Sequence, residues 1–453
     1  MNSKSIISKI RAAIIDTEFA GKTFLVGGYV RDQVMGKESD DIDIVVCLPN
    51  GGHKLAKFLH QKSVSSRPVI YDNFGTALVQ IDNCKIEMVM TRKESYRDKN
   101  RKPEVELGSL EDDVFRRDFT VNSLLQDVVS GKILDITDKG KADIETGIIR
   151  STSDPDIIFK EDPLRMLRAV RFAARFNFQI EENTRKGILR NSEMLQHISW
   201  ERRRDELEKM IVEDDPTPAL EMLVKFNLLQ HIIPELLDLI GLEQGSKHNL
   251  DAWQHSLLVT RNCPKTVKLR IAGLLHDIAK PRKQTEDESG IHFYGHDIAS
   301  AKMAKEILKR LKFSGEFISS VSQLIRFHMR LKYCGAEAEK LSGKALRKLM
   351  WQAGDNWADL LDLIHADNLS HALKYNLPQQ IPIVKKKADA FQKEMKKNAL
   401  PIDGKDIILY FKMKPGKEIG KLLDMATDMW LKNPDVSRDE ILMKLERRVR
   451  HGK

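Results

Sequence analysis

The sequence predicts an α+β protein in which a small N-terminal sheet domain precedes several helical domains. In the first 150 residues, short apolar runs alternate with turn residues, a pattern typical of strands. These runs cover residues 24–26, 42–48, 77–81, 86–90 and 133–136. After Ser151 the apolar residues recur at helical spacing, as at Leu164, Leu167 and Val170, so the remainder should be helical.

The length of 453 residues and the breaks in the helical pattern predict four domains. Polar segments that contain glycine or proline interrupt the helical part near residues 241–245, 286–290 and 375–382. We therefore expect a sheet domain, a helical neck, a histidine-rich helical body and a helical tail. Their predicted bounds are 1–150, 151–240, 241–380 and 381–453.

The composition predicts a cytoplasmic protein without a membrane partner. No apolar stretch approaches the roughly 20 residues that span a bilayer, and the N-terminus lacks the apolar core of a signal peptide. No obligate protein partner is evident. Four cysteines, Cys47, Cys84, Cys263 and Cys334, lack the spacing of a disulfide frame or a zinc site, so we expect packed thiols.

The net charge of +9 is concentrated at the C-terminal end. Residues 381–453 contain 18 lysines and arginines against 11 aspartates and glutamates, which leaves the rest of the chain close to neutral. A basic end on a near-neutral body suggests a polyanionic partner. A solvated lysine-rich helix face would explain the same composition.

The most informative local pattern joins two glycines to two aspartates. The apolar run 24–26 leads into Gly27 and Gly28, and Asp41 and Asp43 follow. Glycines let the backbone approach a phosphate, and residues two apart on a strand point to one face. Paired carboxylates can hold the two divalent ions of an in-line phosphoryl displacement, and Mg²⁺ favours such ligands. A solvated strand edge after a glycine turn is the alternative.

Two further segments add charged groups to this candidate site. The alternating run 86–90 predicts another strand, and its Glu87 is a candidate third carboxylate. After a long polar stretch, 91–110, the segment 116–122 is dense in groups that bind phosphate and ribose. Its arginines offer forked donors for phosphate oxygens. The alternative is a surface salt-bridge cluster.

A predicted helix start at Asp162 and Pro163 could select the incoming base. Aspartate is a favoured N-cap and proline a favoured first helical residue. Asp162 and Arg165 lie three residues apart, so an acceptor and a donor could face a base side by side. Cytosine and adenine each present an amino donor beside a ring-nitrogen acceptor. The pair therefore complements C and A and mismatches U and G.

Taken in order, five motifs resemble motifs A to E of the class II tRNA nucleotidyltransferase and poly(A) polymerase family. They occupy residues 27–32, 41–43, 116–122, 161–165 and 201–207. The resemblance implies a nucleotidyltransferase head, a neck, a body and a tail. It also implies an enzyme that adds C, C and A to the 3′ end of tRNA from CTP and ATP without a nucleic-acid template.

The resemblance also implies roles for individual residues. Asp41 and Asp43 would hold Mg²⁺ and activate the 3′-hydroxyl. The expected nucleotide-binding residues are Gly27, Gly28, Arg31, Arg116, Asp118, Asn122, Glu161, Asp162, Arg165 and Arg168. Among them, Glu161, Asp162 and Arg165 would form the protein template. Glu201 and Arg202 resemble the helix-supporting motif E.

Two segments outside these motifs also resemble parts of the family. Residues 93–110 resemble the flexible loop used in switching from C to A addition, which favours full CCA addition. The family-like positions in this loop are Tyr96, Arg97, Asp98, Arg101 and Pro103. Residues 401–406 and 413–420 resemble the tail that packs against the tRNA elbow, with a dimerisation arm as the alternative. The expected RNA contacts are Lys414, Lys417, Arg447 and Arg448.

A second constellation lies in the histidine-rich part of the chain. Eight of the 13 histidines fall between His248 and His371. The order of ligand-type residues resembles the HD phosphohydrolase superfamily. These residues are His255, His276, Asp277, His296, His328 and Asp367. The set suits Mn, Fe, Ni or Zn and permits Mg, and a metal held there could activate water against a phosphoester. The resemblance to bacterial family members with an HD domain implies a 2′,3′-cyclic phosphate as the substrate.

Several functions remain compatible with the sequence. A poly(A) polymerase of the same fold is the near alternative to a CCA-adding enzyme, and an enzyme that adds only the terminal A is another. A different class of function is a tRNA-binding module in which the HD site carries the only active chemistry. The HD site could also be a metal-binding scaffold without enzymatic activity.

Overall fold

The computed structural model describes residues 3–71, 75–95, 104–245, 250–332, 334–397 and 400–451. It divides into two compact units, of which the first comprises residues 1–210 and 218–232 and the second residues 211–217 and 233–453. An N-terminal sheet region followed by helices confirms the predicted α+β class. The finer division into four domains stays a prediction. None of the described helices has the length and apolar character needed to cross a membrane.

The first unit contains the sheet. Its strands are β1 (Thr23–Val26), β2 (Asp43–Val46), β3 (Val69–Tyr71), β4 (Thr76–Ile81), β5 (Cys84–Met90), β6 (Arg92–Ser95), β7 (Glu104–Leu107), β8 (Leu125–Asp127), β9 (Ile133–Leu134), β10 (Ile148–Ile149) and β11 (Gln179–Ile180). Seven of them form one sheet in the order β3-β4-β5-β2-β1-β8-β9. Within it, β2 and β5 are parallel, and the other neighbours are antiparallel.

The helices of the first unit flank this sheet and continue beyond it. They are α1 (Ser3–Ile14), α2 (Gly28–Val34), α3 (Gly51–Gln61), α4 (Leu110–Phe115), α5 (Gly140–Thr146), α6 (Pro155–Glu161), α7 (Leu164–Phe176), α8 (Glu182–Asn191), α9 (Trp200–Ile211) and α10 (Thr217–Lys225). Each of the five predicted apolar runs contains a strand of the sheet. The prediction missed β3 and β8, which are short.

The prediction of a loop over residues 93–110 is wrong at its two ends. There, β6 and β7 pair as an antiparallel hairpin, with Arg92 opposite Leu107. The physical reason is the alternation of charged and apolar residues in β7, which is the period of a strand. The family-like positions Tyr96, Arg97, Asp98, Arg101 and Pro103 lie outside the described residues.

The two faces of the main sheet are covered differently. Helix α3 lies against one face, on β2, β4 and β5, where Ile44, Ile86 and Met88 are fully buried. On the other face, Val114 of α4 packs with residues of β1, β2 and β8 in a cluster that includes Val45. Because side chains alternate along a strand, Asp43 lies on the same face as Val45 and therefore beside α4.

The second unit is almost wholly helical. Its helices are α11 (Ala252–Asn262), α12 (Val267–Leu275), α13 (His296–Arg310), α14 (Gly315–Phe327), α15 (Gly343–Ala353), α16 (Trp357–Leu369), α17 (Gln380–Lys397), α18 (Gly404–Phe411), α19 (Lys417–Lys432) and α20 (Arg438–His451). The predicted break near residues 286–290 is a short hairpin. Its strands are β12 (Thr285–Asp287) and β13 (Gly290–His292).

The tail helices have an apolar core of their own. Trp430 of α19 is fully buried there with Ile407 of α18 and Ile441 of α20. Arg347 of α15 donates to the backbone carbonyl of Leu431 at 2.8 Å, which joins the tail to the helix before it. The basic composition of the tail therefore belongs to the surface of a packed helical segment.

Only one cysteine is fully packed. Cys263 is buried, and burial raises the pKa of its thiol to about 12. A Cβ added at Gly273 would lie 3.1 Å from its Sγ, so the absence of a side chain at Gly273 lets α11 and α12 approach closely. Cys47, Cys84 and Cys334 are partly exposed, so the prediction of packed thiols is wrong for these three.

Gly52 offers a test of how α3 sets the position of β5. A methyl group at Gly52 would overlap the carbonyl oxygen of Met88 and would lie 2.9 Å from that of Gly75. We expect Gly52→Ala to lower the free energy of unfolding of the sheet region by about 1–3 kcal/mol, because backbone cannot yield as a side chain can. Chemical denaturation followed by circular dichroism would measure the change.

The matched control is Gly420→Ala, in the interior of α19. A Cβ there meets no atom within 4 Å, so the substitution should stabilise the helix by about 0.5–1 kcal/mol. Equal effects of the two variants would contradict the close approach of α3 to the sheet.

Candidate active site and metal centre

Two of the three candidate carboxylates lie on neighbouring strands of the first unit, and the third lies just before one of these strands. Asp43 is the first residue of β2, opposite Val26 of β1 and opposite Glu87 of β5. Asp41 comes before the strand begins, so the prediction that both aspartates are strand residues is wrong for Asp41. The expected alternation still holds, because Ile42 is buried while its two acidic neighbours are not.

Burial and mutual repulsion both disfavour charge on Asp43. Burial, followed by the charges of Asp41 and Glu87, raises the pKa of Asp43 to about 6. A divalent cation would offset that repulsion, and oxygen ligands from one or two carboxylates are what Mg²⁺ prefers. The residues present therefore fit the metal that the sequence predicts, with Asp41 and Asp43 as the ligands.

Gly27 and Arg31 border the carboxylates on the β1 side. Gly27 has φ of +67°, a conformation that favours glycine, and a Cβ there would lie 3.9 Å from Oδ2 of Asp43. The Arg31 guanidinium is buried, lies 4.6 Å from the ring centre of Phe176, and donates to Oδ1 of Asn122 at 2.7 Å. A charge held in place this way is suited to a phosphate.

A buried carboxylate on α4 holds two more arginines at the site. Asp113 is fully buried and accepts from Arg116 at 2.6 Å and from Arg117 at 2.8 Å. Although burial alone would raise it, these two guanidinium groups hold the pKa of Asp113 below its usual value. The alternative prediction of a surface salt-bridge cluster is therefore partly right. The arginines do form salt bridges, but they also line a cavity. The sequence analysis did not identify Asp113 as the residue that holds these two arginines.

Asp118 connects the segment before β8 to helix α7. Its carboxylate accepts from Arg168 at 2.8 and 2.5 Å, from the side chain of Asn122 at 3.1 Å and from the backbone N–H of Phe119. Burial opposes ionisation, but Arg168 and these hydrogen bonds hold the pKa of Asp118 below its usual value. In this arrangement Asp118 positions Arg168 and Asn122. A direct contact between Asp118 and nucleotide stays a prediction.

The predicted base-selecting residues lie between α6 and α7. Asp162 is extended, and its Oδ1 accepts from the backbone N–H of Leu164 at 3.2 Å, so α7 begins one residue later than predicted. Arg165 donates to Glu161 at 3.0 Å and to the backbone carbonyl of Arg116 at 2.7 Å. These bonds orient the guanidinium before any base arrives.

Motif E contributes to the site through Arg202, which donates to Oδ2 of Asp162 at 2.9 Å. Glu201, its predicted partner, is exposed. The buried members of the motif are Arg203, which donates to the backbone carbonyl of His231, and Glu206, which accepts from Arg171 at 2.7 Å. The supporting role therefore falls on residues that face inward from α9.

A cavity of about 620 Å³ brings these groups together. It is lined by the glycine turn, the two aspartates, the base-selecting pair and many cations. The cations are Arg31, Arg116, Arg117, Arg165, Arg168, Arg171, Arg175, Arg202 and Lys209. The volume is in the range of small-molecule sites, and the charge suits a polyanion. The arginines of α7 beyond Arg168 follow its helical spacing, which is the signal that sequence reasoning missed.

Glu87 lies outside this cavity. It lines a second cavity of about 470 Å³ with Tyr71, Thr76, Leu78 and Arg92. The structure therefore places Glu87 between the two cavities, next to Asp43 in the sheet.

The six predicted HD ligands meet in the core of the second unit. They form three overlapping groups, in each of which the ligand atoms lie within 4.8 Å of one another. The groups are His255, His276 and Asp277; His276, His328 and Asp367; and Asp277, His296 and His328. Three of these residues stand at helix ends: His276 follows α12, His296 begins α13 and His328 follows α14.

The hydrogen bonds of three histidines leave their Nε2 atoms for a ligand. Nδ1 lies 2.7 Å from the Gly273 carbonyl in His276, 2.7 Å from that of Phe293 in His296, and 2.6 Å from that of Ile325 in His328. An imidazole that donates from Nδ1 carries its lone pair on Nε2. Burial also lowers the pKa of His328 to about 3, which keeps that ring neutral.

Buried atoms at the centre of this cluster fit a metal. Nε2 of His276 and His296 and Oδ1 of Asp277 and Asp367 make no hydrogen bond among the described residues. Nε2 of His276 and Nε2 of His296 nevertheless lie 3.0 and 3.2 Å from carboxylate oxygens of Asp277, and Oδ1 of Asp367 lies 3.1 Å from Nε2 of His255. Several acceptors that face one another in a buried space are costly without a cation between them. The donor set of imidazole and carboxylate suits a divalent transition metal.

Two residues near the centre were missed by sequence reasoning. Lys280 is buried, and its Nζ lies 2.6 Å from Oδ2 of Asp277. Its position three residues after Asp277, in an apolar segment, is a signal that could have found it. His371 donates from Nδ1 to the backbone carbonyl of Asp367 at 2.7 Å, and its ring centre lies 5.4 Å from that of His255.

The predicted RNA contacts lie on the tail surface. Lys414 and Lys417 are exposed before and at the start of α19, and Arg447 and Arg448 are exposed on α20. Their side chains point to solvent, as an RNA contact requires. RNA binding by these residues stays a prediction.

Three family models match successive parts of the chain. Residues 23–150 match the Poly A polymerase head domain, residues 177–240 match the probable RNA and SrmB-binding site of polymerase A, and residues 248–367 match the HD domain. The first match covers the sheet and its carboxylates. The third covers all six predicted HD ligands.

The chain is also similar to curated proteins over part of their length. It is 35% identical to the tRNA nucleotidyltransferase cca2 of Schizosaccharomyces pombe over 46% of this chain and 46% of that protein. It is 33% identical to a CCA-adding enzyme of Bacillus velezensis over 54% of this chain and 62% of that protein. The chain thus spans about half to three fifths of the length of these relatives.

Solved structures share the fold along nearly the whole chain. The CCA-adding enzyme of Bacillus stearothermophilus in complex with CTP has a TM-score of 0.68 at 21% identity, covering 99% of this chain and 97% of that one. A CCA-adding enzyme with ATP has a TM-score of 0.64 at 20% identity, covering 99% and 96%.

The sheet region that bears the carboxylate cavity is thus similar to a Poly A polymerase head domain, and the region of the histidine cluster is similar to an HD domain. The three domain models match successive parts of residues 23–367, and bacterial proteins named CCA-adding enzyme are 33–35% identical to the chain over about half of its length.

Metal binding at the HD cluster can be tested on the chelator-treated protein. We expect Mn²⁺ or Ni²⁺ to raise the melting temperature, because an ion that binds only the folded state stabilises it by about 2.7 kcal/mol at 100 times its Kd. His276→Ala should abolish most of that rise. His292→Ala, a histidine of β13 outside the cluster, is the matched control, and an unchanged rise in His276→Ala would contradict the site. Differential scanning calorimetry gives the readout.

Proposed function

We propose that this chain is a CCA-adding tRNA nucleotidyltransferase, which adds C, C and A to the tRNA 3′ end from CTP and ATP. The observation that carries the proposal is a single cavity with metal-binding carboxylates at one part, Asp41 and Asp43, and a base-selecting pair at another, Asp162 and Arg165. The cations between them suit a triphosphate. The function needs no nucleic-acid template because the protein supplies the base-selecting groups.

The reaction follows from this arrangement. The 3′-oxygen of the acceptor bonds to the α-phosphorus of the nucleotide, the bond from that phosphorus to the bridging oxygen breaks, and pyrophosphate leaves. Mg²⁺ held by Asp41 and Asp43 would stabilise charge on the attacking and leaving oxygens. Arg31, fixed by Asn122, and Arg117, fixed by Asp113, hold the triphosphate and neutralise the charge that develops on it.

Base selection rests on how Asp162 and Arg165 are held. Arg165 is fixed by a carbonyl and by Glu161, so its remaining donors face the cavity in a defined direction. Asp162 is held by Arg202, which can shift to share the carboxylate with a base. An acceptor beside a donor suits cytosine and adenine, and each good pair of this kind is worth about 1–3 kcal/mol against the wrong base.

The relatives support this substrate assignment. Relatives that match about half of this chain carry the name CCA-adding enzyme, and solved structures of the same fold are described as complexes with CTP and ATP. The basic surface of the tail, with Lys414, Lys417, Arg447 and Arg448, would hold the tRNA by its phosphates. A cytoplasmic location stays a prediction.

The decisive assay supplies tRNAs that end before, after one and after two cytidines, with labelled CTP or ATP. A CCA-adding enzyme extends each and stops. A poly(A) polymerase continues to add A, an A-adding enzyme uses only ATP, and a tRNA-binding module with a silent head adds nothing. Each of the last three outcomes would overturn the proposal.

Asp41→Asn tests the catalytic role of the carboxylates in the same assay. We expect a loss in rate of about 100-fold or more, because the substitution removes the charge that holds the metal. The melting temperature should be unchanged or slightly higher, since the substitution also relieves repulsion at Asp43. The adjacent Asp40→Asn, an equally exposed aspartate that does not line the cavity, is the control.

We also propose a second activity for the HD centre, the hydrolysis of a phosphoester such as a 2′,3′-cyclic phosphate. The supporting observation is the set of buried ligand atoms at His276, His296, Asp277 and Asp367 that make no hydrogen bond among the described residues. In the reaction, water adds to phosphorus and one ester bond to the ribose breaks. The products are a phosphomonoester and a free hydroxyl. Mg, Mn and Ni are the candidate ions.

The second activity is tested with 2′,3′-cyclic AMP and Ni²⁺ or Mn²⁺. We expect turnover that His276→Ala abolishes while nucleotide addition is retained, because the HD centre and the carboxylate cavity share no residue. Absence of turnover in the unaltered protein, with nucleotide addition intact, would show the centre to be a metal-binding scaffold.

A further inference from the structure

The sheet face that carries Asp43 and Glu87 continues past Glu87 onto β4 and β3, where its described side chains are partly open to solvent. Val69 and Tyr71 of β3 are 51% and 49% exposed, which is unusual for large apolar side chains on a sheet. Leu78 of β4 is half-buried beside them. The opposite face of β4 and β5 is buried under α3. An apolar surface therefore continues directly from the catalytic carboxylates.

The strand register places this surface in line with the metal ligands. Val69 is opposite Leu78, Leu78 is opposite Glu87, and Glu87 is opposite Asp43. Neighbouring strands are about 4.8 Å apart, so Leu78 stands roughly 10 Å from Asp43 along this row. That distance is close to the reach from a ribose 3′-hydroxyl to the outer edge of its base. Tyr71 lies in the next row on the same face, opposite Thr76 and three strands from β2, so by the same spacing its backbone is roughly 16 Å from Asp43 and its ring forms the outer edge of this surface.

The chemistry requires an acceptor on this side of the carboxylates. In an in-line displacement, the attacking hydroxyl and the leaving pyrophosphate stand on opposite sides of the α-phosphorus. Gly27, Arg31 and Asn122, the groups suited to the triphosphate, lie on the β1 side of Asp43. The hydroxyl must then approach from the β5 side, which Glu87 occupies.

The second cavity has the composition of a base-binding platform. It is lined by Tyr71, Thr76, Leu78, Glu87 and Arg92. An exposed aromatic ring and an aliphatic side chain bind a base by stacking, which tolerates any base because each has a π face. Successive additions need this tolerance, because the nucleoside that ends the acceptor before the first addition need not be the cytidine that ends it afterwards. Arg92 at the edge of the cavity supplies a positive charge for the RNA backbone.

We propose that Tyr71 and Leu78 form the platform on which the terminal base of the RNA acceptor stacks, so that its 3′-hydroxyl points to Asp43 past Glu87. This inference rests on the proposed nucleotide addition and specifies where the acceptor end binds. Tyr71 is on this account a positioning residue for the acceptor and has no role in binding the incoming nucleotide.

The experiment is a thermodynamic cycle on the full chain. Addition of one CMP is measured with an acceptor that ends in an intact nucleoside and with one whose terminal nucleoside is abasic but retains its 3′-hydroxyl. Tyr71→Ala should raise the KM of the intact acceptor by about 5-fold or more, the loss of one base–aromatic stack. The KM for CTP should not change, and Tyr71→Phe should restore acceptor binding.

The abasic acceptor distinguishes the loss of base stacking in Tyr71→Ala from a general effect of the substitution on the sheet. The unaltered protein should bind it about as weakly as Tyr71→Ala binds the intact acceptor, and Tyr71→Ala should weaken it no further. Equal losses on both acceptors, a raised KM for CTP, or an unchanged KM for the intact acceptor would each overturn the platform. Ile15→Ala removes an exposed aliphatic side chain elsewhere in the first unit and serves as the control.

Two further measurements keep this inference distinct from the proposed function. If the unaltered protein adds no CMP, the proposed function fails before any variant is compared. If it adds CMP and only the Tyr71 comparison fails, the platform alone is wrong.

If Tyr71→Ala folds poorly, photo-crosslinking from a 4-thiouridine at the acceptor terminus gives an independent test. The peptide that contains Tyr71 or Leu78 should be labelled. Labelling confined to other peptides would overturn the platform.

Discussion

The pairing of β2 with β5 is the constraint on which the carboxylate site depends. It is the one parallel pair in the main sheet, and it sets Asp43 beside Glu87. Three carboxylates then lie close enough for their charges to raise the pKa of Asp43. The fold accepts this electrostatic cost at the position where a divalent cation would offset it. Natural proteins typically accept an unfavourable energy of this kind at their functional sites.

The neighbouring cations are held by buried acids whose oxygens already accept hydrogen bonds from the protein. Asp113 fixes Arg116 and Arg117, and Asp118 fixes Arg168. A guanidinium that is already hydrogen-bonded loses less conformational entropy when a phosphate arrives, so its charge is more effective. The cavity is therefore positive at its surface while much of its negative charge is enclosed behind the arginines.

The HD centre is organised by the backbone. Helix ends supply carbonyl groups that orient His276, His296 and His328, and this leaves the opposite nitrogen of each ring toward a common point. Carboxylates from two different helix segments complete the set. The buried Lys280 beside Asp277 adds a positive charge that partly neutralises it. Both centres thus combine buried acids with fixed cations, although they share no element of structure.

The sequence by itself determined the class of fold, the order of the motifs and the identity of the ligand-type residues. These depend on local properties: the period of apolar residues, glycine at a turn, a cap before a helix, and residue types that can bind phosphate or metal. The five predicted strand regions and the six HD residues could be recognised for that reason. Short strands such as β3, and the hairpin of β6 and β7, carry too few residues for a clear periodic signal.

Only the tertiary structure decided which acidic side chains are exposed in the cavity and which are enclosed by arginines. Asp41 and Asp118 are both aspartates in predicted motifs, yet one is exposed in a cavity and the other is saturated by hydrogen bonds. That difference depends on partners 4 to 50 residues away, which no local pattern specifies. Tyr71 and Leu78 are likewise far from Asp43 in the sequence, and only the strand register places them on the same sheet face. Register is set by long-range pairing, and so the acceptor side of the site became visible only in the folded chain.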